Sequence, residues 1–198
     1  MDLMEAIRTR RSVRQFLRDP VPKEIVEQIL DAARFAPSSG NSQPWRFLVV
    51  SNRENLSKLQ ERSIETIEPR IDESDHVSNG EKANVKTKYR SYTDRIFGAP
   101  VFVFVFVATD RYPEHADSDG ALAVGNLLLA AHALGYGACY QTSLFPSDAV
   151  CGLFGVPDGY RFICAVPIGK PAAVPENPGR RRSSELVWYE RYPGKAGS

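Results

Sequence analysis

Arg8, Arg10, Arg11 and Arg14 fall within seven residues near the start of the chain, with Ser12 among them and Phe16 just beyond. Guanidinium groups hold phosphate through paired donors, and each charge-assisted hydrogen bond is worth about 1.5–3 kcal/mol. A phosphate ligand would justify so dense a run, and a solvated helix end is the plain alternative. A second run, Arg180-Arg181-Arg182, lies near the other end and taken alone reads as a solubilising stretch. Neither run belongs to a general positive field, because 25 basic residues face 24 acidic ones for a net charge of +1. That balance argues against nucleic acid as a partner.

Other chemistries find little support. Cys139, Cys151 and Cys164 are an odd set without CxxC spacing, and His76, His115 and His132 are scattered. Neither a disulfide framework nor a metal site is expected, and a reducing cytoplasm is the expected compartment. Cys139 reads as a small core residue, His132 as a helix residue with a local partner, and Trp45 as a core anchor. GxGxxG, Walker A, GxSxG and HExxH sequences are all missing, so the common nucleotide and hydrolase routes are closed. The opening MDLMEAIRTRRS carries charge where a signal peptide needs apolar residues, and no run approaches the ~20 apolar residues of a membrane span.

The elements that must position these groups are legible in outline. A length of 198 residues suits one domain. Asp19-Pro20-Val21-Pro22 stops one element and starts a helix expected from about Pro22 to Ala36, whose Ile25, Ile29, Ala32, Ala33 and Ala36 form its apolar face. Pro37 to Pro44 has turn chemistry at almost every position, and Trp45 to Val50 reads as a strand. Ser57 to Arg95 is charged and weakly periodic, so it is expected to be the least ordered part, with one short helix lined by Ile64, Ile67 and Ile71.

Beyond it the chain turns apolar. Pro100 to Val107 has no polar face and should be a central strand covered on both sides. Gly120 to Gly135 carries no formal charge and reads as a helix buried within the molecule. Tyr136 to Ser143 and Tyr160 to Gly169 look like strands flanking a short helix near Ser147 to Phe154. After Gly169 the prolines favour an extended arm that ends near Trp188-Tyr189. Alternating strands and helices make the class α+β or α/β.

Together these segments resemble one family, the FMN-dependent nitroreductases. RRSVRQF is similar to that family's basic N-terminal signature, and APSSGNSQPWRFLVV to its serine-rich loop and strand. GALAVGNLLLAAHALGYGACYQT resembles its buried helix and flavin-side strand, and VPIGKPAAVPENPGRRRSSELVWYERY its closing strand and basic arm. The resemblance covers nearly the whole chain except Ser57 to Arg95, which match no firm motif. It implies an α+β fold in three layers, a mostly antiparallel central sheet flanked by helices, over one domain of residues 1–198. It also implies a dimer-embracing arm at 171–198, and the unmatched, charged connection at 57–95 is expected to be a lid, as long connections of this kind often are.

The resemblance further implies non-covalent FMN, reduced by NADH or NADPH. Arg10, Ser12, Arg180 and Arg182 would hold the phosphate, Arg11 would contact it mainly through its backbone, and Arg14 would reach the ribityl chain and pyrimidine edge. Pro37, Ser38, Ser39 and Asn41 would approach the flavin from the partner of a homodimer, so that a monomer is incompetent. Tyr140, Gln141, Thr142 and Ser143 would lie on the N5 side, with a backbone donor at Thr142 favoured. Arg95 falls where relatives place a basic residue beside N1 and O2. Tyr92 stands where some relatives have asparagine, and Tyr140 where some have proline, so this chain's ring contacts do not transfer from them.

A flavin carries its own redox chemistry, so no protein acid, base or nucleophile is required. Positive charge near N1 and O2 favours the reduced anion, which makes Arg14, Arg95 and Thr142 the tuning candidates. The expected reaction is ping-pong reduction of small electron-poor acceptors such as nitroaromatics or quinones. One rival is a specialised member of the superfamily, a reductive dehalogenase or a flavin-destroying enzyme. A more distant rival is a phosphate-ligand or nucleic-acid binding module, which would be colourless and salt-sensitive.

Overall fold

Valine and phenylalanine alternate along β2 (Val101–Ala108), and alternate residues of a strand point to opposite faces. Val101, Val103 and Val105 therefore enter one apolar core and Phe102, Phe104 and Phe106 another. The computed structural model describes residues 1–192 and places this strand inside a four-stranded sheet of order β1-β2-β4-β3. β2 pairs antiparallel with β1 (Trp45–Val50) on one side and with β4 (Tyr160–Gly169) on the other. The short β3 (Gly137–Ala138) pairs antiparallel with the end of β4.

Helices cover both faces, giving the three layers. On the valine face lie α2 (Lys23–Ala33) and α5 (Ala116–Ala133), through Val26, Ile29 and Ala33 from the first and Val124, Leu127 and Ala131 from the second. The phenylalanine face is covered by α3 (Arg53–Glu73), α4 (Lys82–Phe97) and α6 (Ser147–Phe154). Here Phe97, Phe102, Phe104 and Phe145 meet with ring centroids 5.4–6.0 Å apart, within the range of favourable aromatic pairs. α1 (Leu3–Thr9) opens the chain and a four-residue α7 (Ser183–Leu186) sits on the arm.

Several expectations need correction. The helix expected to run to Ala36 ends at Ala33, since Arg34 already caps it and Phe35 is 69% exposed. Ser57 to Arg95 is not irregular but mainly the antiparallel hairpin of α3 and α4. Its surface is polar because ion pairs, rather than a deep apolar face, join its outer half. Arg90 Nε and Nη2 donate to the two carboxylate oxygens of Glu68 at 2.6 and 2.7 Å, Lys86 Nζ to Asp72 Oδ2 at 2.6 Å, and Gln60 Nε2 to Asp94 Oδ1 at 2.6 Å. α3 also runs through Pro69.

The strand expected over Tyr136 to Ser143 shrinks to β3 and one isolated bridge between Gln141 and Ala165. α5 is buried on one side only, and Leu122 on its other side is 50% exposed. The partner of His132 is remote in sequence: its Nε2 lies 2.8 Å from Thr9 Oγ1 of α1. Trp45 and Cys139 are buried, as expected.

Candidate functional site

The arginine run is fixed by the edge of the sheet. α1 ends at Arg10, whose backbone N–H donates to the Ala6 carbonyl, and the chain then extends. Ser12 bridges Ala138 in parallel, and the Val13 N–H donates to the Ala138 carbonyl at 3.1 Å. Val13 is buried against Gly137, where an added Cβ would stand 2.7 Å from three Val13 side-chain atoms. Glycine is what lets the strands approach so closely. With Val13 turned inward, the alternation of an extended segment carries Ser12 and Arg14 to the other side.

The C-terminal arm closes the space above them. Leu17 N–H donates to the Lys170 carbonyl at 2.9 Å, Phe16 bridges Pro171, and Ala172 N–H donates to the Gln15 carbonyl at 3.0 Å. The arm thus runs antiparallel beside residues 15–17. A cleft of about 300 Å³ results, lined by Arg10, Arg11, Ser12, Arg14 and Arg180 with Pro175, Glu176 and Pro178. Arg14 and Pro175 also line an adjoining cleft of about 200 Å³, with Gln15, Tyr92, Arg95, Ala173 and Val174. The two ends of the sequence and α4 therefore meet at one place.

This chemistry is that of an anion site. Guanidinium is donor-only, and Arg10 Nη1 is buried without a hydrogen-bond partner among the described residues, a costly arrangement unless a ligand completes it. Arg11 is turned elsewhere, its Nη1 donating to the Arg8 and Arg10 carbonyls at 2.9 Å each. Arg14 Nη1 donates to the Ser12 carbonyl at 3.1 Å. The residues present thus fit a phosphate-bearing group beside Arg10 and an acceptor-rich, negatively polarised ring edge beside Arg14 and Arg95.

Other candidates lie outside these two clefts. Pro37, Ser38, Ser39 and Asn41 form a tight loop with Gly40, Asn41 and Gln43 at φ +54, +52 and +47°. Ser39 N–H donates to Asp119 Oδ2 at 3.0 Å, and Gln43 N–H to Ser38 Oγ at 3.0 Å. A side chain at position 40 would also strike the Tyr112 ring at 2.7 Å. Tyr140, Thr142 and Ser143 are exposed, Gln141 is buried, and none of the four lines either cleft. Arg182, before α7, lines neither cleft. The last six residues of the expected arm lie outside the described residues.

Three residues escaped the sequence reading: Asp119, Pro175 and Pro178. Asp119, 5% exposed on α5, anchors the serine loop, and its place beside Asp117 in the first turn of a helix that is then mainly apolar was the available signal. Pro175 and Pro178 line the cleft directly, although only the extended character of their segment was legible. Tyr92 is joined to Gln141, whose Nε2 donates to its hydroxyl at 2.8 Å. Among the described residues no group of three or more His, Cys, Asp or Glu side chains could hold a metal ion. Burial pushes the Cys164 thiol up to about 12, so it stays protonated at neutral pH. No helix of the described residues is long and apolar enough to cross a membrane.

Sheet order, helical layers and arginine cleft together describe a three-layer α+β scaffold with an anion-binding cleft, and comparison with known proteins specifies its family. The sequence pattern of the Nitroreductase family matches residues 7–170, and the chain belongs to that family. It is similar to a putative NADH dehydrogenase/NAD(P)H nitroreductase of Methanothermobacter thermautotrophicus, 36% identical over 187 residues that cover 91% of this chain and 82% of that protein. Among solved structures it resembles an oxidised iodotyrosine deiodinase bound to FMN and 3-iodo-L-tyrosine, at TM-score 0.80 and 26% identity, covering 96% of this chain and all of the other. It also resembles a putative nitroreductase of Desulfovibrio desulfuricans in complex with FMN, at TM-score 0.72 and 28% identity, covering 98% and 99%.

Proposed function

We propose that this chain binds FMN non-covalently and uses NADH or NADPH to reduce small electron-poor acceptors such as nitroaromatics or quinones. The observation that carries the reading is the arginine cleft itself, where the buried and unpartnered Arg10 Nη1 stands beside Ser12, Arg14 and Arg180. When bound, the flavin supplies the hydride chemistry. Arg10, Ser12 and Arg180 would hold its phosphate, with Arg11 offering backbone and Arg182 joining from the arm. Arg14 and Arg95 would place positive charge where reduction creates negative charge. No side chain of the clefts is needed as nucleophile.

The same reading assigns the remaining candidates. Pro37, Ser38, Ser39 and Asn41 would complete the site of a second copy, and the uncovered Leu122 together with Trp188 and Tyr189 of the arm offers apolar surface for that copy. Tyr140 to Ser143 would edge the ring, with Thr142 N–H as donor. The α3–α4 hairpin, residues 57–95, would act as a lid that selects the acceptor, because it carries Tyr92 and Arg95 while its outer half is held mainly by half-exposed ion pairs. Three free cysteines suit a reducing cytoplasm.

Stopped-flow mixing tests the activity. NADH or NADPH should bleach the flavin, and a nitroaromatic or quinone added afterwards should restore its colour with ping-pong kinetics. A flavin that no nicotinamide reduces would contradict the reading. The likeness to a deiodinase favours one second reading, reductive removal of halogen from an aromatic substrate. Iodide release from an iodophenol under the same conditions would select it.

A further inference from the structure

The cleft shared by Arg14 and Arg95 contains one neutral donor whose orientation is set from behind. Tyr92 faces that cleft from α4. Its hydroxyl oxygen accepts from Gln141 Nε2 at 2.8 Å and, among the described residues, its own proton goes to no partner. Gln141 is 4% exposed and doubly fixed: its backbone exchanges hydrogen bonds with Ala165 at 2.9 and 3.0 Å, and its amide also reaches Cys139 Sγ at 3.1 Å. The glutamine is thus held by β4 and occupies the acceptor side of the phenol.

A hydroxyl that accepts one hydrogen bond donates a better one, and an amide bound to its oxygen leaves the O–H pointing away from the amide. Tyr92 lines the cleft and Gln141 does not, so the freed direction is taken to open on the cleft. The ring itself is steadied by the Arg95 guanidinium, whose carbon lies 5.9 Å from its centroid. Gln141 and Tyr92 therefore form a two-residue relay from the sheet into the arginine cleft.

We propose that Tyr92 donates a hydrogen bond to the acceptor-rich pyrimidine edge of the bound flavin, and that Gln141 is the positioning residue that aims it. The proposal rests on the FMN reading above. It gives α4 a direct part in holding the ring, so the hairpin reports cofactor occupancy as well as covering it. The donor is neutral and does not line the neighbouring cleft of Arg10 and Arg180, which separates its effect from theirs.

The test compares wild type with Tyr92→Phe, Gln141→Leu and the double variant, each titrated with FMN and with riboflavin, which lacks the phosphate. Fluorescence quenching gives the dissociation constant, and the visible absorption bands report the ring's hydrogen bonds. Each single change should weaken both ligands by about five- to tenfold and shift the bands alike. The double variant should be no weaker than Tyr92→Phe, because the two residues act as one unit. Tyr92→Phe removes only one oxygen, and it decides the matter alone if Gln141→Leu does not fold. Wild-type affinity and spectrum in Tyr92→Phe, or losses that multiply in the double variant, would overturn the proposal while leaving the flavin reading intact. A wild-type protein that binds neither ligand would overturn both.

Discussion

The edge of the sheet at Arg10 to Phe16 and the hairpin at Arg53 to Phe97 both border the candidate site, yet they are built on different physics. The first is held by buried contacts: Val13 and Phe16 are 4% and 7% exposed, and Val13 fills the space that Gly137 leaves open. The second buries Leu56 and Leu59 near its root, but farther out it relies on pairs such as Arg90–Glu68 and Lys86–Asp72. Close packing transmits strain and tolerates little change, whereas ion pairs open to solvent on one side, as these are, contribute less and are partly screened by salt. A rigid edge can hold a cofactor in place, and a loosely tied hairpin can adapt to different acceptors.

The largest effects are expected where packing is densest. Phe104→Ala empties a fully buried position among Phe102, Phe145, Phe154 and Phe162 and should cost about 3–5 kcal/mol in urea unfolding. Arg62→Ala on the exposed side of α3 should stay within about 0.5 kcal/mol. Equal losses would erase the contrast between the close-packed sheet and the hairpin's outer surface.

Next in size is a change at the rigid edge that separates folding from binding. Arg10→Met removes a guanidinium whose Nη1 has no partner, so the flavin-free protein should be no less stable. Its FMN affinity should fall by about tenfold or more. Arg14→Ala should weaken FMN to a similar degree and also slow its reduction by NAD(P)H. Arg10→Met that unfolds the free protein, or either variant binding FMN as wild type does, would assign these arginines a structural role.

The hairpin should respond in the opposite pattern. Arg90→Gln unties α4 from Glu68 but leaves Tyr92 held by Gln141, so it should change the FMN dissociation constant far less than Tyr92→Phe while altering the ratio of rates with nitroaromatics and quinones. An unchanged acceptor profile would make the hairpin a passive cover.

The smallest expected effect is at His132. Burial, followed by the nearby Arg10 and Arg11 charges, holds its imidazole below the ordinary histidine value. The unfolded chain therefore binds the proton more readily than the folded one, so stability falls as pH drops through about 6.5 and towards the lower folded value. His132→Gln should flatten that part of the stability curve. Phosphate or FMN should flatten it as well, by opposing the arginine charges.

The parts that the sequence made legible are those governed by local patterning. Alternating valine and phenylalanine identified β2, and Pro22 marked the start of α2. The hairpin was missed because its helices carry polar surface on several sides, and the ion pairs and the Gln60–Asp94 hydrogen bond that join them link residues 14–34 positions apart, beyond any helical period. Tyr136 to Ser143 misled in the other direction: its residues have strand propensity, but only two of them form β3. At the site, the arginines were legible by density and Arg180 by resemblance, whereas the Gln141–Tyr92 bond joins residues 49 apart and could emerge only from the folded chain.

The central claim is that the arginine cleft holds FMN. Protein purified without added cofactor, or reconstituted with FMN and passed through a desalting column, should show flavin absorption bands in the visible region. Heat or acid denaturation should then release a flavin that chromatography identifies as FMN. A colourless protein that retains no FMN after reconstitution, or one that releases FAD instead, would contradict the account.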